Sequence, residues 1–247
     1  VAEVARLVRY RAGLRSVGMD AAYITDLSGT RRSYRRFRSK VASEDGRRFM
    51  SEQVELGLSG LSVPPGTHLC AFFRGREERN AIVHPFLREG VSSGAKCIGI
   101  LEGPSEAALA QELGIVAAPP QLELRTARPT YLPGGRFSRA DSLAYWETEA
   151  AESLGSGAWP FARFTGEMTA EVNLAIPSEE WIRYESDLNR FVPRYPQVLL
   201  CLYDLLDFSG SELFVDIVKT HPMVLIGGTI LENRYFLDPD DFDHAEA

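Results

Sequence analysis

Three sets of residues in this 247-residue chain carry side chains suited to chemistry. His68 and Cys70 stand two apart in a short apolar run, so on a strand they share one face with Phe72. Cys201 lies in a second apolar run and His221 precedes a third. Imidazole and thiolate are preferred zinc ligands, so His68, Cys70, Cys201 and His221 have the composition of a metal cluster. Neither a CxxC nor an HxxxH spacing accompanies them, and cysteines inside strands are commonly plain core. The expectation is therefore no metal, no cofactor, and three reduced, buried thiols, Cys70, Cys97 and Cys201.

The second set is acidic. Glu167, in Arg163-Phe-Thr-Gly-Glu167-Met, follows an expected strand, where a carboxylate can polarise an attacking water or act as a general base. Equally, it can pair with Arg163 or Arg74 and brace the site; burial would raise its pKa and an arginine would lower it. Asp204 ends the most apolar run of the chain, the place of the acid that holds Mg²⁺ in nucleotide hydrolases, and Asp207 is a weaker copy. The third set is aromatic and cationic. Phe72, Phe73, Tyr131, Phe137 and Tyr203 can wall a pocket for a small organic ligand, each with ordinary core packing as the alternative. Arg74, Arg76 and Arg79 suit a carboxylate ligand or plain solvation.

These residues depend on the elements that present them. The stretch from Thr67 to Gly103 reads as strand, loop, helix, turn and second strand, the βαβ start that requires a parallel sheet. In P-loop proteins the loop after such a strand reads GxxxxGK[ST], because backbone N–H groups wrap the phosphates and a lysine reaches them. Here the loop from Arg74 to Asn80 has one glycine, no GK[ST] and two carboxylates. A P-loop-like architecture with a degenerate loop follows. Further strands are expected near Gln121 to Thr126, Trp159 to Thr165, Val198 to Tyr203, Met223 to Ile226 and Thr229 to Phe236. The intervening helices include one from Pro177 with Trp181, Tyr184, Leu188 and Phe191 on one face. Strands alternating with helices give an α/β class, a mainly parallel sheet with helices on both faces. Ligands of such sheets bind outside the carboxyl ends of the strands, among the loops from Arg74 to Asn80, Glu102 to Ser105, Arg128 to Phe137, Gly166 to Asn173 and Asp204 to Gly210.

Charge divides the chain. Residues 1–48 hold 12 Lys+Arg against 5 Asp+Glu, and the remainder holds 15 against 29. Residues 1–50 read as a basic extension in which Arg31 to Arg38, with interleaved aromatics, is the one stretch suited to nucleic acid. The acidic body is not. Met50 opens a stretch that would make a sensible start for the domain proper, 51–238, and an acidic tail, 239–247, is expected to fray. The sequence contains neither a membrane-span-length apolar run nor a signal-peptide core, so a cytoplasmic protein without a membrane partner is expected. A nucleophile-elbow GxSxG and a GxGxxG after the first strand are both absent.

The ordered set HLCAFFRGREE, HPFLREGVSSGAKCIGI, RFTGEM, a helix containing YESDLN, LCLYDLLDFS and KTHPMVLIGG resembles the MEDS family from about His68 to Phe236. The resemblance implies a domain derived from the RecA/KaiC ATPase fold, without an intact Walker A loop, that senses small hydrocarbon-derived ligands. The expected function is small-molecule sensing without hydrolysis, signalling through a separate regulatory protein, with a homo-oligomer possible. Expected ligand contacts are Phe72, Phe73, Arg74, Tyr131, Arg163, Glu167, Tyr203 and Asp204. The alternatives are an enzyme of bacterial small-molecule metabolism using Glu167, Asp204 or His68 with Cys70 as acid-base groups, and a vestigial nucleotide binder acting as an interaction module.

Overall fold

The computed structural model describes residues 53–58, 60–115, 118–155, 157–207 and 212–245. The basic extension, its Arg31 to Arg38 cluster and Met50 lie outside the described residues. A two-stranded hairpin, β1 (Val54–Glu55) and β2 (Ser62–Val63), leads into the body. Seven strands follow: β3 (Thr67–Phe73), β4 (Lys96–Leu101), β5 (Leu122–Thr126), β6 (Ala162–Met168), β7 (Gln197–Asp204), β8 (Met223–Ile226) and β9 (Thr229–Glu232). They form one sheet in the order β5-β4-β6-β7-β3-β8-β9, with every pair parallel except β8 and β9. β3, β4 and β6 are buried along their whole length, because helices cover both faces and leave no side of the strand for water.

One face packs against α1 (Gly75–Ser92) and α2 (Glu106–Glu112). The other packs against α4 (Arg139–Gly155), α6 (Ser178–Phe191), α7 (Glu212–Thr220) and α8 (Pro239–Ala245). Short helices α3 (Ala127–Tyr131) and α5 (Ala170–Ala175) sit after β5 and β6. The period of two along each strand sorts the side chains between these layers. Leu69, Ala71 and Phe73 of β3 join the α1 core, whereas Cys70 and Phe72 join the α6 core, the face His68 shares. The whole is an α/β domain consistent with the RecA-like class.

Three boundaries differ from the sequence reading. β6 begins at Ala162, after Pro160, whose ring nitrogen has no hydrogen to give a ladder. Gly166 and Glu167 are consequently inside the strand, level with Cys201 and Leu202 of β7, rather than after it. β9 stops at Glu232 because Asn233 turns the chain, accepting the Tyr235 N–H and donating to the carbonyls of Val218 and His221. Within the acidic tail, Pro239–Ala245 is helical: Asp238 accepts the N–H groups of Asp240 and Asp241, Phe242 is buried, and Arg190 of α6 pairs with Asp240 and Asp243.

Candidate functional site

The chemistry-bearing side chains meet between the sheet and α6, beneath the helix rather than at the carboxyl edge of the strands. α6 lays Trp181, Tyr184, Leu188 and Phe191 on the sheet, and Glu185 and Asn189 fall within the same buried surface, one turn apart. Glu185 is therefore carried into the core. Its Oε2 lies 3.3 Å from His68 Nε2, 3.3 Å from His221 Nε2 and 3.6 Å from Cys201 Sγ. His68 Nε2 is also 3.3 Å from Cys201 Sγ, and the donor atoms of all four residues lie within 4.8 Å of one another. All four are buried. Tyr203, next but one to Cys201 on β7, donates its hydroxyl to Glu185 Oε1 at 2.5 Å.

Three of the four residues grouped by type in the sequence thus converge, and Glu185 takes the place expected for Cys70. Cys70 faces the same layer but bonds toward the Met223 carbonyl, at 3.9 Å. Burial, then the neighbouring His221, pushes His68 down to about 4, against the opposing pull of Glu185 and Asn189. Burial pushes Glu185 up, but the adjoining His221 and His68 outweigh that and hold it below the usual carboxylate range. Burial, followed by the Glu185 charge, pushes the Cys201 thiol and the Tyr203 hydroxyl up.

Aromatic residues separate this quartet from solvent. A cavity of about 10 Å³ is lined by Glu185, Cys201, Tyr203, Tyr131, Trp146 and Gly166, among others, roughly the room one water needs. Tyr131 and Trp146 also line a second, outer cleft of about 380 Å³ with Arg125, Thr130, Ser138, Asp141, Ser142 and Tyr145. The two rings are a shared wall. Tyr131 stands over Gly166, where an added Cβ would lie 2.1 Å from its hydroxyl, and packs edge-on against Trp181 with centroids 5.5 Å apart. Trp146 donates to the Tyr184 hydroxyl at 2.7 Å and Trp181 to that of Tyr203 at 3.3 Å.

The carboxyl edge near α1 is occupied by the protein itself. Only Arg74 separates β3 from α1. Asp204 accepts the N–H groups of Gly75 and Leu206, both at 2.9 Å, so a carboxylate already sits at the start of α1 where the helix favours negative charge. Glu78 accepts the Arg74 N–H at 2.9 Å. Glu167 faces the α1 layer and takes 3.0 Å and 2.7 Å bonds from Arg79 and the Glu102 N–H. Burial nonetheless pushes its pKa up, Arg79 and the Glu102 bond offsetting only part. Its partner is Arg79, 1 % exposed and bonded also to Glu112, rather than Arg163 or Arg74.

Of the expected ligand contacts, only Tyr131 and Tyr203 line the inner cavity. Phe72 packs at its side, 5.9 Å from the Tyr203 ring, while Phe73 lies on the opposite face. Arg74 is exposed at the head of α1. Arg163, four residues before Glu167 at the other end of β6, is buried over the Phe86 ring, and burial pushes its pKa down. The sequence reading missed Glu185, Asn189 and Trp146, and gave Arg79 a carboxylate ligand or solvation where its partners are the protein's own Glu167 and Glu112. Glu185 had a signal: it is four residues from Trp181 and three from Leu188, so it interrupts the apolar stripe of its own helix.

Two substitutions test this geometry. Arg79→Met leaves Glu167 buried without its cation, and the unfolding free energy from urea titration should fall by about 3–5 kcal/mol. Gly166→Ala drives a methyl into the Tyr131 hydroxyl; stability should fall by about 1–3 kcal/mol, and Trp146 fluorescence should change as the shared wall shifts. Unchanged stability in either variant contradicts the corresponding contact.

Comparison with curated proteins returns no match. The family model described as MEDS, MEthanogen/methylotroph, DcmR Sensory domain, matches residues 67–222. That span runs from the first residue of β3 to the residue after His221 and encloses the quartet, the inner cavity and the wall of the outer cleft. The chain belongs to the MEDS family of sensory domains.

Proposed function

We propose that this domain binds a small organic molecule in the outer cleft and reports its presence to a separate regulatory protein without chemically changing it. The observation that carries this reading is the shared wall: Tyr131 and Trp146 touch both the cleft and the cavity beside Glu185. A volume of about 380 Å³ falls in the range of small-ligand sites. The cleft offers aromatic surface from Tyr131, Tyr145 and Trp146, with polar groups from Ser138, Asp141 and Ser142 to orient a ligand. Arg125 is held there by Glu123 and Glu149, so its charge is already matched and a mainly neutral ligand is favoured.

A ligand pressing on Tyr131 and Trp146 acts on Trp181 and Tyr184, both carried by α6. Occupancy therefore biases the seating of α6 on the sheet, and with it the outer surface that a partner reads, as a shift between pre-existing arrangements. Sensing is favoured over turnover by the engagement of Glu167 with Arg79 and of Asp204 with the start of α1, which leaves neither carboxylate turned toward the cleft.

Thermal unfolding in the presence of a panel of small neutral organic compounds tests the reading. A true ligand at one hundred times its Kd adds about 2.7 kcal/mol of stability. Ser142→Trp, which fills the cleft from α4, should abolish that gain while leaving the ligand-free melting temperature within a few degrees. A gain that survives Ser142→Trp places the ligand elsewhere. Consumption of the ligand, followed by mass spectrometry, establishes an enzyme, and a comparable gain with Mg-ATP revives the nucleotide-binding module.

A further inference from the structure

The quartet beneath α6 is distinct from the cleft, and its tautomers can be read from its surroundings. Asn189 donates from Nδ2 to the carbonyls of Glu185, Ser186 and Thr220, which fixes its amide and turns Oδ1 toward His68 Nδ1, at 3.1 Å. An amide oxygen only accepts, so the proton of a neutral His68 is on Nδ1 and its Nε2 presents a lone pair. His221 repeats the arrangement. Its Nδ1 lies 2.7 Å from the Ile217 carbonyl and 3.1 Å from Thr220 Oγ1, whose own proton goes to the same carbonyl. His221 Nε2 is then bare too, fully buried and without a hydrogen-bond partner.

Two imidazole lone pairs and a carboxylate oxygen therefore face one another in a dry core, and the Cys201 thiol has one proton to share among them. Such a set is repulsive unless something positive lies among them. The distances specify what fits. Tetrahedral zinc, bound at about 2.0–2.1 Å by nitrogen or oxygen and about 2.3 Å by sulfur, separates its ligands by about 3.3–3.4 Å, or about 3.5–3.6 Å where sulfur takes part. The two histidine contacts of Glu185, both 3.3 Å, and its 3.6 Å contact with Cys201 match these edges; His68 Nε2 to Cys201 Sγ, at 3.3 Å, is about 0.2–0.3 Å short of one, and the two edges from His221 to His68 and Cys201 lie within 4.8 Å.

We propose that His68 Nε2, Glu185 Oε2, Cys201 Sγ and His221 Nε2 bind one divalent cation of the zinc type. Binding releases the Cys201 thiol proton to solvent, and with thiolate, carboxylate and two neutral imidazoles a dication makes the buried centre electrically neutral. The thiolate and imidazoles select zinc and its first-row neighbours over calcium and magnesium. Asn189, the Ile217 carbonyl and Tyr203 are the outer groups that orient such ligands. The ion would join β3, α6, β7 and the turn from α7 to β8, whether or not the outer cleft is filled.

The test uses the full chain, equilibrated with zinc or cobalt(II), freed of excess metal and checked for folding by circular dichroism. One equivalent of zinc per chain is expected by elemental mass spectrometry, and its removal by a chelator should lower the melting temperature. The cobalt protein should show the intense visible bands of a tetrahedral site and a thiolate-to-cobalt charge-transfer band in the near ultraviolet. Cys201→Ser should lose that charge-transfer band and Cys70→Ser should keep it. Asn189→Ala should weaken zinc binding by about 10–100-fold. Folded wild-type protein that takes up no zinc, or cobalt protein without tetrahedral bands, overturns the site without recourse to any variant. A charge-transfer band that survives Cys201→Ser, or disappears in Cys70→Ser, overturns the assignment of its sulfur.

Discussion

Glu185 is the constraint on which the α6 side of the molecule depends. A carboxylate beneath a sheet, among tryptophan and tyrosine rings, is among the costliest groups to bury, and it is tolerated only when its surroundings answer it. Tyr203 answers one oxygen; His68, His221 and Cys201 surround the other. Each of these is held in turn: His68 by Asn189, His221 by the Ile217 carbonyl on one side and by Asn233 at its own carbonyl. Groups from β3, β7 and the turn into β8 are thereby committed to a single position on α6. The helix cannot slide along the sheet without leaving charge unmatched in the core.

The two faces of the sheet accordingly differ in character. On the α1 face, the space beyond the strand ends is closed by ion pairs among Arg79, Glu167 and Glu112, and by Asp204 at the helix start. That face is braced. On the α6 face, polar groups lie deeper, level with the middle of β7, and small spaces remain beside them. The outer cleft lies after β5 at the sheet edge, the kind of place where ligands of open α/β sheets bind beyond the strand ends. That rule does not describe the quartet, whose position follows from the inward face of a helix.

Much of this was legible in the sequence because long apolar runs leave few choices. β8 falls where its residues predict, at Met223–Ile226, and the stripe of α6 is as its spacing requires. His68, Cys201 and His221 were grouped by residue type, yet their fourth member was taken to be Cys70, which shares a strand face with His68. Strand periodicity finds neighbours on one strand, not the helix laid across it. Glu185 was passed over because a charged residue in a helix reads as solvated unless its place in the apolar stripe is weighed, and Arg79, read as suiting a carboxylate ligand or solvation, had no partner named for it. Their burial follows from tertiary pairing with residues between 16 and 117 positions away, which no local pattern records.

What joins the two halves of the α6 layer is the aromatic set between them. Trp181 touches Tyr131 on the cleft side and donates to the Tyr203 hydroxyl, which itself donates to Glu185. This is a continuous physical path from the wall of the cleft to the buried carboxylate. Rings in such a path move as rigid plates, so a displacement at one end is handed on rather than absorbed along a flexible side chain. Tyr131 has its place only because residue 166 lacks a Cβ, and that contact leaves it little freedom toward the sheet. Under the proposed reading, pressure from the cleft is directed toward Trp181 and α6, where the contacts of Glu185 set the cost of movement. A domain built in this way holds the rings that back the cleft wall, Trp181 and Tyr184, and its most constrained group, Glu185, on one helix, with the sheet as the fixed reference for both.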